Sequence, residues 1–230
     1  ECFSRCNEET GQWEPLQRLL PVMQKAGVVD EERVEELKQH AAISELIQCK
    51  DPEALKAGWR ALPRNMQRVP EVVKAFAEQA NAIGGAGMAE DVIRGSLKRE
   101  WNSALLIPYG EADSGDASKR MKQCEKWLLD HPEDPWLHLV LGRLCAREEL
   151  WGKARHHMIR SLEIEPTVGG YDSLGQLLER KGELEIAMIC FRNALRMNQG
   201  KEPLPLPGDH AKLASPTDNP NPLPSDIQKI

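Results

Sequence analysis

Aromatic residues make up only 5% of this 230-residue chain, and its longest uninterrupted apolar run is the six residues from Ile186 to Phe191. A membrane-spanning helix needs about 20 apolar residues in a row, so none lies in this stretch. A basic excess is missing too. Thirty Lys and Arg stand against 36 Asp and Glu, a net charge of −6. That balance argues against nucleic acid or an anionic membrane surface as the main partner. Cysteine is sparse, with six residues and no C-x-x-C, so the common zinc and dithiol signatures are missing and reduced thiols are expected. No G-x-G-x-x-G follows a strand pattern, which removes the dinucleotide fingerprint. No Ser/His/Asp set rises above chance. The expectation is a protein that is not an enzyme. The chain opens Glu1-Cys2-Phe3 with no Met and no signal-peptide pattern, and we read it as a piece of a longer protein.

What is present is helical punctuation. Segments of about 12 to 15 residues carry apolar residues at the 3.6-residue period, separated by Gly and Pro. Asp30-Glu31-Glu32 offers an N-cap and an acidic first turn, with Val34, Leu37, Ala41 and Leu46 behind it. Asp51-Pro52-Glu53 repeats the device with proline at the first helical position. Gly84-Gly85-Ala86-Gly87 and Gly182 read as turns between helices. From Gly200 onward the character changes, with seven prolines between Pro203 and Pro224. Such a segment has little apolar surface to offset the entropy of ordering, so residues 200–230 are expected to be an extended or disordered tail.

The informative feature is a repeat. Counted from Pro135 as position 1, Leu141, Gly142, Cys145, Ala154, Met158, Ser161 and Pro166 fall at 7, 8, 11, 20, 24, 27 and 32. Counted from Val168, Leu174, Gly175, Leu178, Ala187, Phe191 and Ala194 fall at 7, 8, 11, 20, 24 and 27. This alternation of small and large residues is the tetratricopeptide (TPR) helix–turn–helix pattern. Positions 8 and 20 are where the two helices of a hairpin approach most closely, so only Gly or Ala fits. A weaker copy starts at Pro70, with Phe76-Ala77, Ala80, Ala89, Ile93 and Ser96 in register and Trp101 where proline usually ends the unit. The stretch 101–134 is a degenerate copy. Its second helix, Ala117 to Leu129, is clear, with Cys124 and Trp127 inward, while Leu106-Ile107-Pro108-Tyr109-Gly110 reads as extended or irregular. Trp13 to Lys25 reads as the second helix of a unit that lacks most of its first. The resulting division is 1–69, an N-terminal helical part; 70–199, TPR-like repeats at 70–100, 101–134, 135–167 and 168–199; and 200–230, the Pro-rich tail. The fold class is all-α, a right-handed TPR-like helical solenoid.

Several segments sharpen this. Trp13-Glu14-Pro15-Leu16-Gln17-Arg18-Leu19-Leu20-Pro21, Leu105-Leu106-Ile107-Pro108-Tyr109-Gly110, Trp127-Leu128 with His131-Pro132, and Leu141-Gly142-Arg143-Leu144-Cys145 running on to Leu150-Trp151-Gly152-Lys153-Ala154-Arg155 together resemble the C-terminal region of the proteobacterial HemY-type proteins. These are TPR proteins associated with haem biosynthesis, and the likeness runs over most of residues 11 to 197. The resemblance implies a non-enzymatic scaffold supporting a late step of protohaem (porphyrin) synthesis through contacts with other proteins, with haem-biosynthesis enzymes as partners. It also implies an inner-membrane location with this domain on the cytoplasmic side. The anchor would be two N-terminal transmembrane helices absent from this sequence, and this fragment itself would make no membrane contact. A second reading is a tetrapyrrole-binding carrier that passes porphyrin or haem between enzymes. No other cofactor and no metal is implied.

Candidate groups follow. TPR first helices line a groove with positions 2, 5, 9, 12 and 13, which here are Trp136, Leu139, Arg143, Ala146 and Arg147, then Gly169, Asp172, Gln176, Glu179 and Arg180. An aromatic face with two cations suits an extended peptide, a helix or a carboxylate-bearing ligand. His156 and His157 are adjacent, so on a helix they point about 100° apart and are poorly placed to share one ion. Cys2 and Cys6 could share a helix face, whereas Cys124, Cys145 and Cys190 fall at or beside packing positions.

Overall fold

A computed structural model of the chain describes residues 30–113, 115 and 117–207. The expectations for Trp13–Lys25, Cys2, Cys6 and the tail beyond residue 207 lie outside the described residues. Among those described there are ten α-helices, two short 3-10 turns and no strand. No helix among them is long and apolar enough to cross a membrane. The chain forms two compact units that part between residues 114 and 115.

The first unit holds α1 (Glu31–Gln48), α2 (Pro52–Ala61), α3 (Pro70–Ala82), α4 (Ala86–Arg99) and α5 (Leu106–Glu111). Its helix starts are built by the capping residues visible in the sequence. The Asp30 carboxylate accepts from Arg33 N and that of Asp51 from Ala54 N, each at 2.8 Å, satisfying backbone donors that the first turn leaves open. α3 is the hub, touching α1, α2, α4 and α5. It buries Val72, Val73, Phe76, Ala77 and Ala80, with Ala89 and Ile93 of α4 opposite. The segment at Leu106–Gly110 corrects an expectation: it is helical, not extended. Pro108 sits in the first turn of α5, where a missing N–H breaks no helix hydrogen bond. Burial of Leu106, Pro108, Tyr109 and Gly110 then draws the turn inward. Its carbonyl at Pro108 accepts from Asn81 Nδ2 at 2.8 Å, tying α5 to α3.

The second unit holds α6 (Ala117–Asp130), α7 (Pro135–Arg147), α8 (Trp151–Ile164), α9 (Val168–Arg180) and α10 (Leu184–Asn198). Successive helices pack on one another, and α7 also touches α9. Cys124, Cys145 and Cys190 are buried free thiols. Burial pushes all three thiols up, Cys145 and Cys190 to about 11, so these sulfurs are un-ionised at neutral pH and pack as small apolar groups.

The repeat register is written into the backbone. Gly84, Glu149 and Gly182 each occupy position 15 of their hairpin, and all three are left-handed, with φ of +80°, +56° and +78°. The residue after each closes the same wide turn onto position 11: Gly85 N to Ala80 O at 2.6 Å, Leu150 N to Cys145 O at 2.8 Å and Glu183 N to Leu178 O at 2.9 Å. These are helix ends in which one left-handed residue lets the next N–H reach back to a carbonyl the helix leaves open. Two of the three positions use glycine, which takes this conformation without strain. Glu149 pays in strain what its neighbours avoid. Replacing Glu149 with Gly is expected to stabilise the second unit by about 1 kcal/mol, read as a higher urea midpoint at unchanged slope; a lower midpoint contradicts it.

Gly142 and Gly175 are tight for the reason the spacing gave. A Cβ on Gly142 would stand 2.7 Å from Met158 Cγ and 3.1 Å from the Ala154 carbonyl. On Gly175 it would meet the Phe191 ring at 2.6 Å. Leu141, Leu174, Ala154 and Ala187 are buried beside them, while Phe191 is half-buried and Pro166 lies exposed in the α8–α9 connection. The start of the tail departs from expectation. Residues 201–207 are not loose: Leu204 exchanges two hydrogen bonds with Asn193 of α10, and Leu206 packs against the apolar cluster of this unit.

Candidate functional site

Of the groove residues read from sequence, the ones with an observed connection lie where α7 meets α9. Arg143 leaves α7 and its Nε donates to Ser173 Oγ on α9 at 2.8 Å. The Ser173 hydroxyl in turn donates to the Gly169 carbonyl at 2.7 Å. Gly169 makes room for this crossing, since a Cβ there would stand 3.3 Å from Arg143 Nη2. Ser173 was not among the expected groove residues. Its position gives no periodic signal, and only the approach of α7 and α9 makes it a partner. On the next turn of α9, Gln176 Nε2 donates to the Asp172 carboxylate at 2.8 Å. Trp136 and Asp172 are half-buried, and Arg147, Gln176 and Arg180 are exposed.

Leu139 requires a correction. It is 0% exposed and offers nothing to a partner. Its Cδ2 stands 3.7 Å from the Cβ that a larger residue at 169 would carry, so it packs in the α7–α9 contact. Position 5 falls on the floor of this pair because Gly169, at the start of α9, lets α7 come close, while the neighbouring Gly170 makes room for Leu162 of α8. The face that remains is a polar strip with one aromatic, Trp136, and a bias towards arginine. It can donate charge-assisted hydrogen bonds to carboxylates.

The histidines form a different site from the one their adjacency suggested. His156 is exposed, but His157 turns into the α7–α8 contact, with Nδ1 3.0 Å from Nδ1 of His138. His138 Nε2 faces the Pro132 carbonyl at 3.0 Å. A carbonyl only accepts, so His138 carries its proton on Nε2 and, when neutral, accepts from His157 at Nδ1. Burial lowers the pKa of His157 to about 3, helped by the cationic forms of His138 and His156 and by Lys153. Burial also lowers that of His138, against the upward pull of the Pro132 carbonyl and Glu133. His138 escaped the sequence reading, yet a signal was there. It lies four residues before Gly142 and His157 three residues after Ala154. In an antiparallel hairpin closed at Gly142 and Ala154, those offsets bring the two rings to one level. Among the described residues no group of His, Cys, Asp and Glu is placed to hold a metal ion.

Around this unit, Arg160 of α8 reaches both carboxylate oxygens of Glu133 at 2.7 Å. Arg155 pairs with Glu183 at 3.1 Å, and Lys181 stands over the Trp151 ring at 5.9 Å. Arg120 of α6 is 2% exposed, a buried cation that the helical pattern alone did not single out.

Among known proteins, no family model and no solved structure matches the chain. Curated relatives do. Protein HemY of Escherichia coli strain K12, and the proteins of the same name in E. coli O157:H7 and Shigella flexneri, are each 25% identical to it over 197 residues, which is 84% of this chain and 50% of theirs. The chain therefore spans about half the length of the curated relatives it matches. By this likeness the chain is a distant relative of the HemY-type proteins.

Proposed function

We propose that this chain is a non-enzymatic, TPR-like helical scaffold that serves a late step of haem biosynthesis by holding partner proteins on the α7–α9 face. The observation that carries the reading is the hairpin repeated at a 33-residue offset, with the same left-handed turn at Glu149 and Gly182. Stacked hairpins of this kind expose their first helices along one side and recognise partners with that surface. The partner class follows from the chemistry of the face. Trp136 supplies a flat apolar surface and Arg147 and Arg180 supply cations, so the fitting partner is an acidic segment of another protein. Its source among haem-synthesis enzymes, and its place on the cytoplasmic side of the inner membrane, are part of the same proposal and come from the HemY-type resemblance.

The test is affinity recovery from solubilised bacterial membranes with crosslinking, comparing the chain with its Arg147→Glu/Arg180→Glu variant. Both positions are exposed, so the fold is expected to survive. The variant is expected to lose at least tenfold of its crosslinked partners, whereas equal recovery from both would refute the α7–α9 face as the docking surface. A parallel Arg143→Glu variant is expected to lose both recovery and thermal stability, because Arg143 also holds α9 through Ser173.

A further inference from the structure

The residues after α10 are bound as a peptide ligand would be. Asn193 is 0% exposed, and its one amide serves both backbone groups of one residue in the segment beside it. Nδ2 donates to Leu204 O at 2.8 Å and Oδ1 accepts from Leu204 N at 2.7 Å. This is the pairing that a neighbouring strand would otherwise supply to an extended chain. Two residues earlier, the Glu202 carbonyl accepts from Arg196 Nε at 2.8 Å. Two residues later, Leu206 packs against the apolar cluster that contains Tyr171, Cys190 and Ala194. The contacts thus fall on 202, 204 and 206, the alternate residues of an extended segment.

Pro203 and Pro205 lie between them and Pro207 follows. Proline fixes φ and lacks the N–H, so the segment is already close to its bound conformation and loses little entropy on docking. Leu204 keeps its N–H, the one Asn193 accepts. The two helix side chains read main-chain atoms at 202 and 204, and the only side chain taken into the cluster is that of Leu206. These are the requirements of a site that recognises an extended chain, not those of an interdigitated core.

We propose that Asn193, Arg196 and the apolar cluster beneath Leu206 form a binding site for extended proline–leucine peptides, filled in this chain by residues 202–206 and open to a partner segment of the same chemistry. The polar contacts of the site come from α10 and use none of the side chains assigned to the α7–α9 face. Only Gln199, Gly200 and Lys201 separate residue 202 from the end of α10, so the resident segment is held at a high effective concentration, millimolar for such a short tether. A partner reaches the site when that segment is released.

The experiment uses the full chain with Leu206→Asp, which ejects the resident segment from the apolar cluster. A fluorescein-labelled peptide of residues 201–207 is titrated and followed by anisotropy, with helicity checked by circular dichroism. Saturable binding at least tenfold tighter than to the unmodified chain is expected, falling at least tenfold again when Asn193→Ala is added. A helical Leu206→Asp chain that binds no peptide, or binding indifferent to Asn193, overturns the site. Should Leu206→Asp fail to fold, Leu204→Pro removes the N–H donated to Asn193 together with the leucine side chain, which loosens the resident segment, and is read in the same way. On the unmodified chain, millimolar unlabelled peptide is expected to speed amide exchange at Leu204 and Leu206, and unchanged exchange counts against the proposal.

Discussion

Replacing Gly142 with valine is expected to destabilise the second unit by about 3 kcal/mol, near the upper end of what overpacking costs. The new Cβ would lie 2.7 Å from Met158 Cγ, 3.1 Å from the Ala154 carbonyl and 3.2 Å from the Met158 amide nitrogen. Met158 can move its side chain, but the two main-chain atoms belong to α8 and move only if the helices separate. Separation would strip contact from Leu141, Cys145 and Ala154, each no more than 1% exposed. Gly175 provides the graded comparison. There the Cβ meets the ring of the half-buried Phe191 at 2.6 Å, and a ring at a partly open position can swing away. Gly175→Val is therefore expected to cost about half as much. Gly95 is the control, in the middle of α4 with nothing within 4 Å of a Cβ. Its change to Ala gains helix propensity of about 0.5–1 kcal/mol. Urea unfolding followed by helicity measures all three, and a Gly142→Val chain as stable as the parent would show that the α7–α8 approach is not limiting.

Acid is expected to weaken this protein through its buried imidazoles. His157 has a folded-state pKa of about 3 against an ordinary histidine value of 6.5. Between these values the unfolded chain binds a proton that the folded chain refuses, so stability rises with pH across that window and is lost as pH falls through it. The histidine contribution is complete above about pH 6.5. By pH 5 the loss from His157 is about 2 kcal/mol, and the slope cannot exceed about 1.4 kcal/mol per pH unit for each histidine. His138 adds to it in the same direction, since burial lowers its pKa too. The check is chemical unfolding at pH 7 and pH 5 for the chain and for His157→Gln, whose amide can still donate to His138 but does not titrate. The variant is expected to lose less stability between the two pH values by about 2 kcal/mol, and an identical pH dependence in both would overturn the assignment.

Much of the fold was legible because a helical hairpin is a local object. The offset of 12 residues between Gly142 and Ala154 recurs between Gly175 and Ala187 and between Ala77 and Ala89. All six residues lie in the tight approach of two helices joined by a short turn. The caps at Asp30 and Asp51 were equally plain, since a capping side chain binds a donor three residues away. Leu106–Gly110 reads as extended or irregular in the sequence but is helical, and its proline stands in a first turn, where it breaks no bond. In the candidate site, Arg143 lay within reach of sequence reasoning but Ser173 did not. They are 30 residues apart and on different hairpins, and a serine on a helix has no pattern that distinguishes a partnered hydroxyl from a solvated one. Leu139 was placed on the open face by analogy of position, and Gly169 at the start of α9 let that helix close over it.

The amino-acid order alone thus specified an all-helical chain, the register of its hairpins and the pairs of small residues on which they close. Each of these rests on contacts at constant separation along one chain, where periodicity and steric size suffice. The folded molecule decided which side chains meet within and between hairpins and just beyond the last helix. Arg143 pins α9 through Ser173, His138 shares a proton with His157, and Asn193 seizes the backbone of Leu204. Such meetings depend on how closely helices approach and on which rotamer reaches across, and neither leaves a repeating trace in a linear string.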